Sequence, residues 1–78
     1  MSDKLNMHSS KELEFVVFCI ENVAEFLERD AHQIYVELAE SNILKDYIIP
    51  EYEILHTQSK EYIVADIVDI MKERGLEV

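Results

Sequence analysis

Apolar residues recur along this chain at helical spacing, and period-2 alternation is absent, so helices rather than strands are predicted. Ser9-Ser10-Lys11-Glu12 has the form of a capping box, with Ser9 as N-cap and Glu12 reaching back. A helix is expected from Ser10 to about Arg29. Projected along its axis, Leu13, Phe15, Val16, Val17, Cys19, Ile20, Val23, Ala24, Phe26 and Leu27 fill an arc of about 200°, wider than the stripe of a surface helix. That width predicts a central helix packed on two sides.

Asp30, with Gln33 three residues on, predicts the N-terminus of a second helix over Ala31–Glu40, with Ala31, Ile34, Tyr35 and Leu38 on its apolar face. Ser41-Asn42 reads as a turn. A short third helix is expected over Ile43–Ile48, ended by Pro50, which disfavours helical backbone at Ile49. Pro50 suits the first turn of a further piece reaching Leu55. After the polar stretch His56-Thr57-Gln58-Ser59, Thr57 or Ser59 is placed to cap a last helix running to about Arg74. Its apolar face is Ile63, Val64, Ile67, Ile70 and Met71, with Lys72 and Arg74 at the negative end of its dipole and Gly75 as its stop.

The expected fold is all-α: a compact small bundle of three main helices plus one or two short helical segments around Pro50. A single helical domain is expected over residues 10–75, after a flexible segment 1–9 and before a tail 76–78. The expected core is Leu13, Val16, Cys19, Ile20, Val23, Leu27, Ile34, Leu38, Leu55, Ile63, Ile67, Ile70 and Met71. With 78 residues the chain has room for one domain, and about 60% of the unfolded surface is buried at this size.

Charge changes the picture most. Seventeen acids oppose seven bases, for a formal net charge of −10. Phosphate backbones and anionic lipid surfaces are repelled by such a chain, so neither nucleic acid nor membrane is expected as a partner. A basic protein partner is attracted. The longest apolar run, Phe15 to Ile20, falls far short of the roughly 20 residues that span a bilayer. The first residues lack the apolar stretch of a signal peptide. With the lone Cys19 they point to the reducing cytoplasm.

Catalytic chemistry finds little support. Cys19 lies on the apolar arc, where a thiol is inert packing. His8, His32 and His56 stand at no metal-ligand spacing. A single glycine, Gly75, cannot build a phosphate-binding loop. The turn between Ala31 and Ile49 has the outline of a DNA-reading motif, yet Lys45 is offset by Asp46. No catalytic residue, metal or cofactor is therefore expected. His56, beside Thr57 and Gln58, is read either as a contact or switch residue or as a junction histidine that caps a carbonyl or packs on an aromatic ring.

Two surface stripes stand out. Glu14, Phe18, Glu21, Glu25 and Glu28 share one side of the first helix, and Tyr62, Asp66, Asp69 and Glu73 one side of the last. An aromatic residue among acids has the composition of a contact patch, an apolar anchor with a charged rim. Phe18, Glu14, Glu21, Glu25, Tyr62, Asp66 and Asp69 are thus the candidate partner-binding residues. The competing reading covers Phe18 with the N-terminal segment or another helix.

Three stretches carry a family resemblance: Glu14 to Glu21, Tyr47 to Gln58 and Glu61 to Ile67. Together they resemble the small bacterial proteins grouped as domain of unknown function 3791, from about Lys11 to Arg74, with Leu55-His56-Thr57-Gln58 as the most specific element. Phe18, Cys19, Glu21, Leu55, His56 and Thr57 match recurring positions of that family. The resemblance implies no activity. It implies an accessory role beside neighbouring genes, some of whose products resemble ADP-ribosyltransferases. The expected function is a non-enzymatic, acidic protein-interaction module, antitoxin-like or accessory, whose partner is basic or ADP-ribosyltransferase-like. The alternative is a self-associating structural homodimer.

Overall fold

The computed structural model describes residues 10–78. They form helices and turns with no strand, so the all-α bundle is the fold. Three longer helices, α1 (Ser10–Leu27), α2 (Ala31–Glu40) and α4 (Lys60–Glu73), are joined through a π-helical turn, Leu44–Ile48, and the short α3 (Tyr52–Leu55). The proposed Ser9 cap and the segment 1–9 lie outside the described residues.

Backbone chemistry sets the helix ends. Asp30 caps α2 by accepting the Gln33 N–H at 3.2 Å, and Ser59, rather than Thr57, caps α4 by accepting the Tyr62 N–H at 3.1 Å. Gly75 closes α4 at φ +83°. Leu76 N–H reaches the Met71 carbonyl and Gly75 N–H the Lys72 carbonyl, each at 3.0 Å, which is the Schellman pattern. Helix α1 stops two residues before the expected Arg29, by the same device without a glycine. Glu28 takes φ 56°, Arg29 N–H bonds the Ala24 carbonyl at 2.9 Å and Glu28 N–H the Glu25 carbonyl at 3.2 Å. Asn42, at φ 68°, turns the chain after α2, a conformation its short polar side chain tolerates.

The middle of the chain departs from expectation. Ile43–Ile48 was predicted as an ordinary short helix, but Ile49 N–H bonds the Leu44 carbonyl five residues back, at 3.0 Å, making the turn π-helical. The wider turn lets both Ile43 and Ile48 reach full burial. Ile49 keeps helical angles (φ −68°, ψ −49°) although Pro50 follows. The proline effect is a bias, and here the Leu44 hydrogen bond and the buried Ile48 outweigh it. Pro50 is not in the first turn of α3, which begins after Glu51.

Helix α1 lies against both α2 and α4, as its wide arc implies. The core joins Phe15, Cys19, Ile20, Val23 and Ala24 of α1 to Ile34 and Leu38 of α2, to Ile43, Ile48 and Leu55, and to Ile63, Val64, Ile67, Val68 and Met71 of α4. Four expected core residues differ. Leu13, in the first turn of α1, is exposed. Val16, Leu27 and Ile70 are only partly buried at the margin. On α4 the buried stripe is rotated, so that Val68 goes in where Ile70 was expected.

Long polar side chains tie the elements together. Arg29 forks onto the Glu37 carboxylate, with Nη1 to Oε1 at 3.1 Å and Nη2 to Oε2. Its Nη1 also donates to the Glu77 carbonyl at 3.1 Å. Arg74 donates to the Ser41 carbonyl. Leu76 packs against the core, so two of the three residues expected as a tail are held to the bundle.

Candidate functional site

A groove of about 330 Å³ lies between α1 and α4. Asn22, Glu25 and Phe26 of α1 and Lys60, Glu61, Val64 and Ala65 of α4 line it. On α1 the i, i+3, i+4 spacing of the first three puts them on one side. Asn22 is held by donating from Nδ2 to the Phe18 carbonyl at 2.7 Å. Phe26 leaves 63% of its surface exposed. Val64 is buried. The floor is thus apolar, and Glu25 and Glu61 stand on it as exposed carboxylates.

Phe18 sits one turn N-terminal to Asn22, exposed over 37% of its surface, and opens an aromatic series. Its ring lies 6.2 Å from buried Phe15. Phe15 meets Tyr52 edge-on at 5.4 Å, and Tyr52 stacks on His56 at 4.5 Å. His56 Nδ1 donates to the Tyr52 carbonyl at 2.8 Å. His56 therefore does both things the junction reading describes, capping a carbonyl and packing on a ring. Thr57 Oγ1 donates to the Ile54 carbonyl at 2.7 Å and closes the end of α3.

Glu14, Glu21 and Glu25 are all exposed beside Phe18 on α1. The groove takes Glu25 from this stripe and takes none of Tyr62, Asp66 or Asp69. Asp66 instead accepts a hydrogen bond from the Tyr47 hydroxyl, while Tyr62 and Asp69 are exposed. Burial, the Asp66 bond and the Asp66 charge push the Tyr47 hydroxyl up from its ordinary value. The two stripes therefore do not line one common groove. Sequence reasoning missed Asn22, Phe26 and Ala65 as surface residues. Phe26 reads as core by periodicity, and only the position of α4 beside α1 decides which edge of the wide arc stays open.

Cys19 is fully buried, and desolvation pushes its thiol up to about 12, so it carries no thiolate at neutral pH. Among the described residues no group of three His, Cys, Asp or Glu side chains could hold a metal ion. No helix among them is long and apolar enough to cross a membrane.

A family model described as protein of unknown function DUF3791 matches residues 14–74. The chain belongs to this family. The matched span runs from the acid-aromatic stripe of α1 to the end of α4 and contains every residue of the groove. No curated protein and no solved structure matches the chain.

Proposed function

We propose that this DUF3791 member is a non-enzymatic, acidic protein-interaction module of the cytoplasm. It acts as an antitoxin-like or accessory regulator that binds a basic partner, of which an ADP-ribosyltransferase-like neighbour is one form. The observation that supports this reading is the open groove between α1 and α4, an apolar floor at Phe26, Val64 and Ala65 continued along α1 by Phe18 among Glu14, Glu21 and Glu25. Large exposed apolar side chains beside charge are the composition of contact surfaces. The test is capture from native extract with wild type and with a Phe18→Ala/Phe26→Ala variant. A basic protein retained by wild type, released by high salt and lost in the variant is the expected result. Equal capture by both proteins removes the surface from consideration.

A second reading, a homodimer, is favoured by a different observation. Leu13 and Val17, one turn apart on α1, leave 53% and 51% of their surfaces open. Sedimentation equilibrium separates the readings: a mass that doubles with concentration, and no longer does so after Leu13→Ser/Val17→Ser, identifies this edge as a self-contact.

A further inference from the structure

We infer that the α1–α4 groove seats one face of a basic amphipathic helix of another protein. This rests on the interaction-module reading and specifies the form of the partner. An apolar side chain of that helix rests on Phe26, Val64 and Ala65, and its lysines or arginines meet Glu25 and Glu61.

Three observations lead there. The first is the floor. Phe26 is a large ring held open at 63% exposure, and covering it removes apolar surface from water. The second is the walls. Both are helices whose backbone N–H and C=O groups are bonded within the helix, so an extended peptide finds no strand edge to pair with. A helix satisfies its own backbone and can lie on an apolar floor without leaving polar groups unpaired. The third is charge. Glu25 and Glu61 flank the floor, Glu21 and Glu14 continue the acid line along α1, and Lys60 is the one cation in the lining. A second copy of this chain, at −10, sets acid against acid there, whereas a cationic helix is drawn in.

The probe is a synthetic leucine–lysine peptide patterned at helical period, titrated into the full-length isotope-labelled chain. Its control has the same composition in an order that destroys the apolar face. The patterned peptide is expected to bind at least about tenfold more tightly than the control, with amide shifts gathered at Asn22, Phe26, Lys60 and Ala65. Phe26→Ser should weaken it about tenfold, while Lys60→Gln strengthens it by removing the opposing cation. Phe26 is exposed, so the variant keeps its melt, and the melt is the check on folding. If both peptides bind equally and shifts spread over the acidic surface, the groove is not the seat, yet the basic-partner reading stands. Shifts centred on Tyr62 and Asp69 overturn the site in the same way. Absence of binding by either peptide overturns both.

Discussion

Glu28 holds a backbone conformation that an L side chain adopts at a cost of about 1–2 kcal/mol, and its own side chain is exposed. The position exists because α1 must turn sharply into the Asp30 cap of α2, and the Schellman bonds require a positive φ there. Glu28→Gly is expected to stabilise the fold by about 0.5–1 kcal/mol, a rise in Tm of about 2–8 °C for a domain of this size. The reverse change gives the internal control. Gly75 also sits at positive φ, with nothing within 4 Å of the place a Cβ would occupy. Gly75→Ala should therefore lower stability by about 1 kcal/mol through backbone strain alone. An unchanged or lowered Tm for Glu28→Gly would refute the account of that turn. Of these two stops only Gly75 was legible beforehand. A glycine announces a positive φ, whereas a glutamate takes one only because the next helix has to begin, and that demand is tertiary.

Cys19 and Tyr47 predict how stability depends on alkali. The Cys19 thiol is raised from 9.0 to about 12, and the Tyr47 hydroxyl is raised from 10.0. Between those limits the unfolded chain has released protons that the folded chain still holds. Stability contributed by Cys19 is thus full below pH about 9 and declines as pH rises toward about 12. Denaturant titrations should give a flat free energy up to pH about 9 and a falling one above it. Cys19→Ala should lower the plateau, by leaving a small cavity, and make the decline shallower. An unaltered slope in Cys19→Ala would show that the thiol titrates freely and is not buried in solution.

At the scale of elements, what was legible followed from strong local chemistry. Asp30 is read directly as a cap and Ser59 as one of two candidates with Thr57, and α2 and α4 begin just after Asp30 and Ser59. The Leu44–Ile48 segment was less legible. Seven residues between Asn42 and Pro50 are too few to distinguish an α from a π period, and the choice is made by the need to bury Ile43 and Ile48 together. The groove was the least legible part. Phe26 belongs to the apolar arc of α1 by every local measure, yet it stays 63% exposed at the edge of the groove between α1 and α4. The α1 orientation is tested by Ile20→Asp. Ile20 is buried between elements, and a carboxylate there would have no partner, so loss of several kcal/mol is expected. For a chain this small that loss unfolds it, and a cooperative melt at room temperature in the variant would refute the orientation. Ser59→Ala is the milder companion. It removes one cap and should cost about 1 kcal/mol, with amide exchange accelerated first at Lys60–Tyr62.

Across the whole molecule seventeen acids face seven bases. Among the described residues Glu37 is matched by Arg29, Asp66 by the Tyr47 hydroxyl and Asp30 by a backbone N–H. Glu14, Glu21, Glu25, Glu61 and Asp69 all stand exposed on the surface of a bundle with a net charge of −10. Compacting like charges raises their mutual repulsion, so the fold carries a destabilising term that the unfolded chain partly escapes. Added salt screens it, over a Debye length that falls from about 30 Å at 0.01 M to about 8 Å at 0.15 M. The opposing effect is weakening of the Arg29–Glu37 fork, one pair against many exposed acids. Repulsion therefore dominates, and Tm should rise with sodium chloride at fixed neutral pH. The same screening should release a basic partner, whose attraction depends on those acids. Stability and binding are thus expected to move in opposite directions along one salt titration. A Tm that falls with salt would mean that the Arg29 tether outweighs the summed repulsion, and that the acids are spaced too widely on this surface to steer anything toward it.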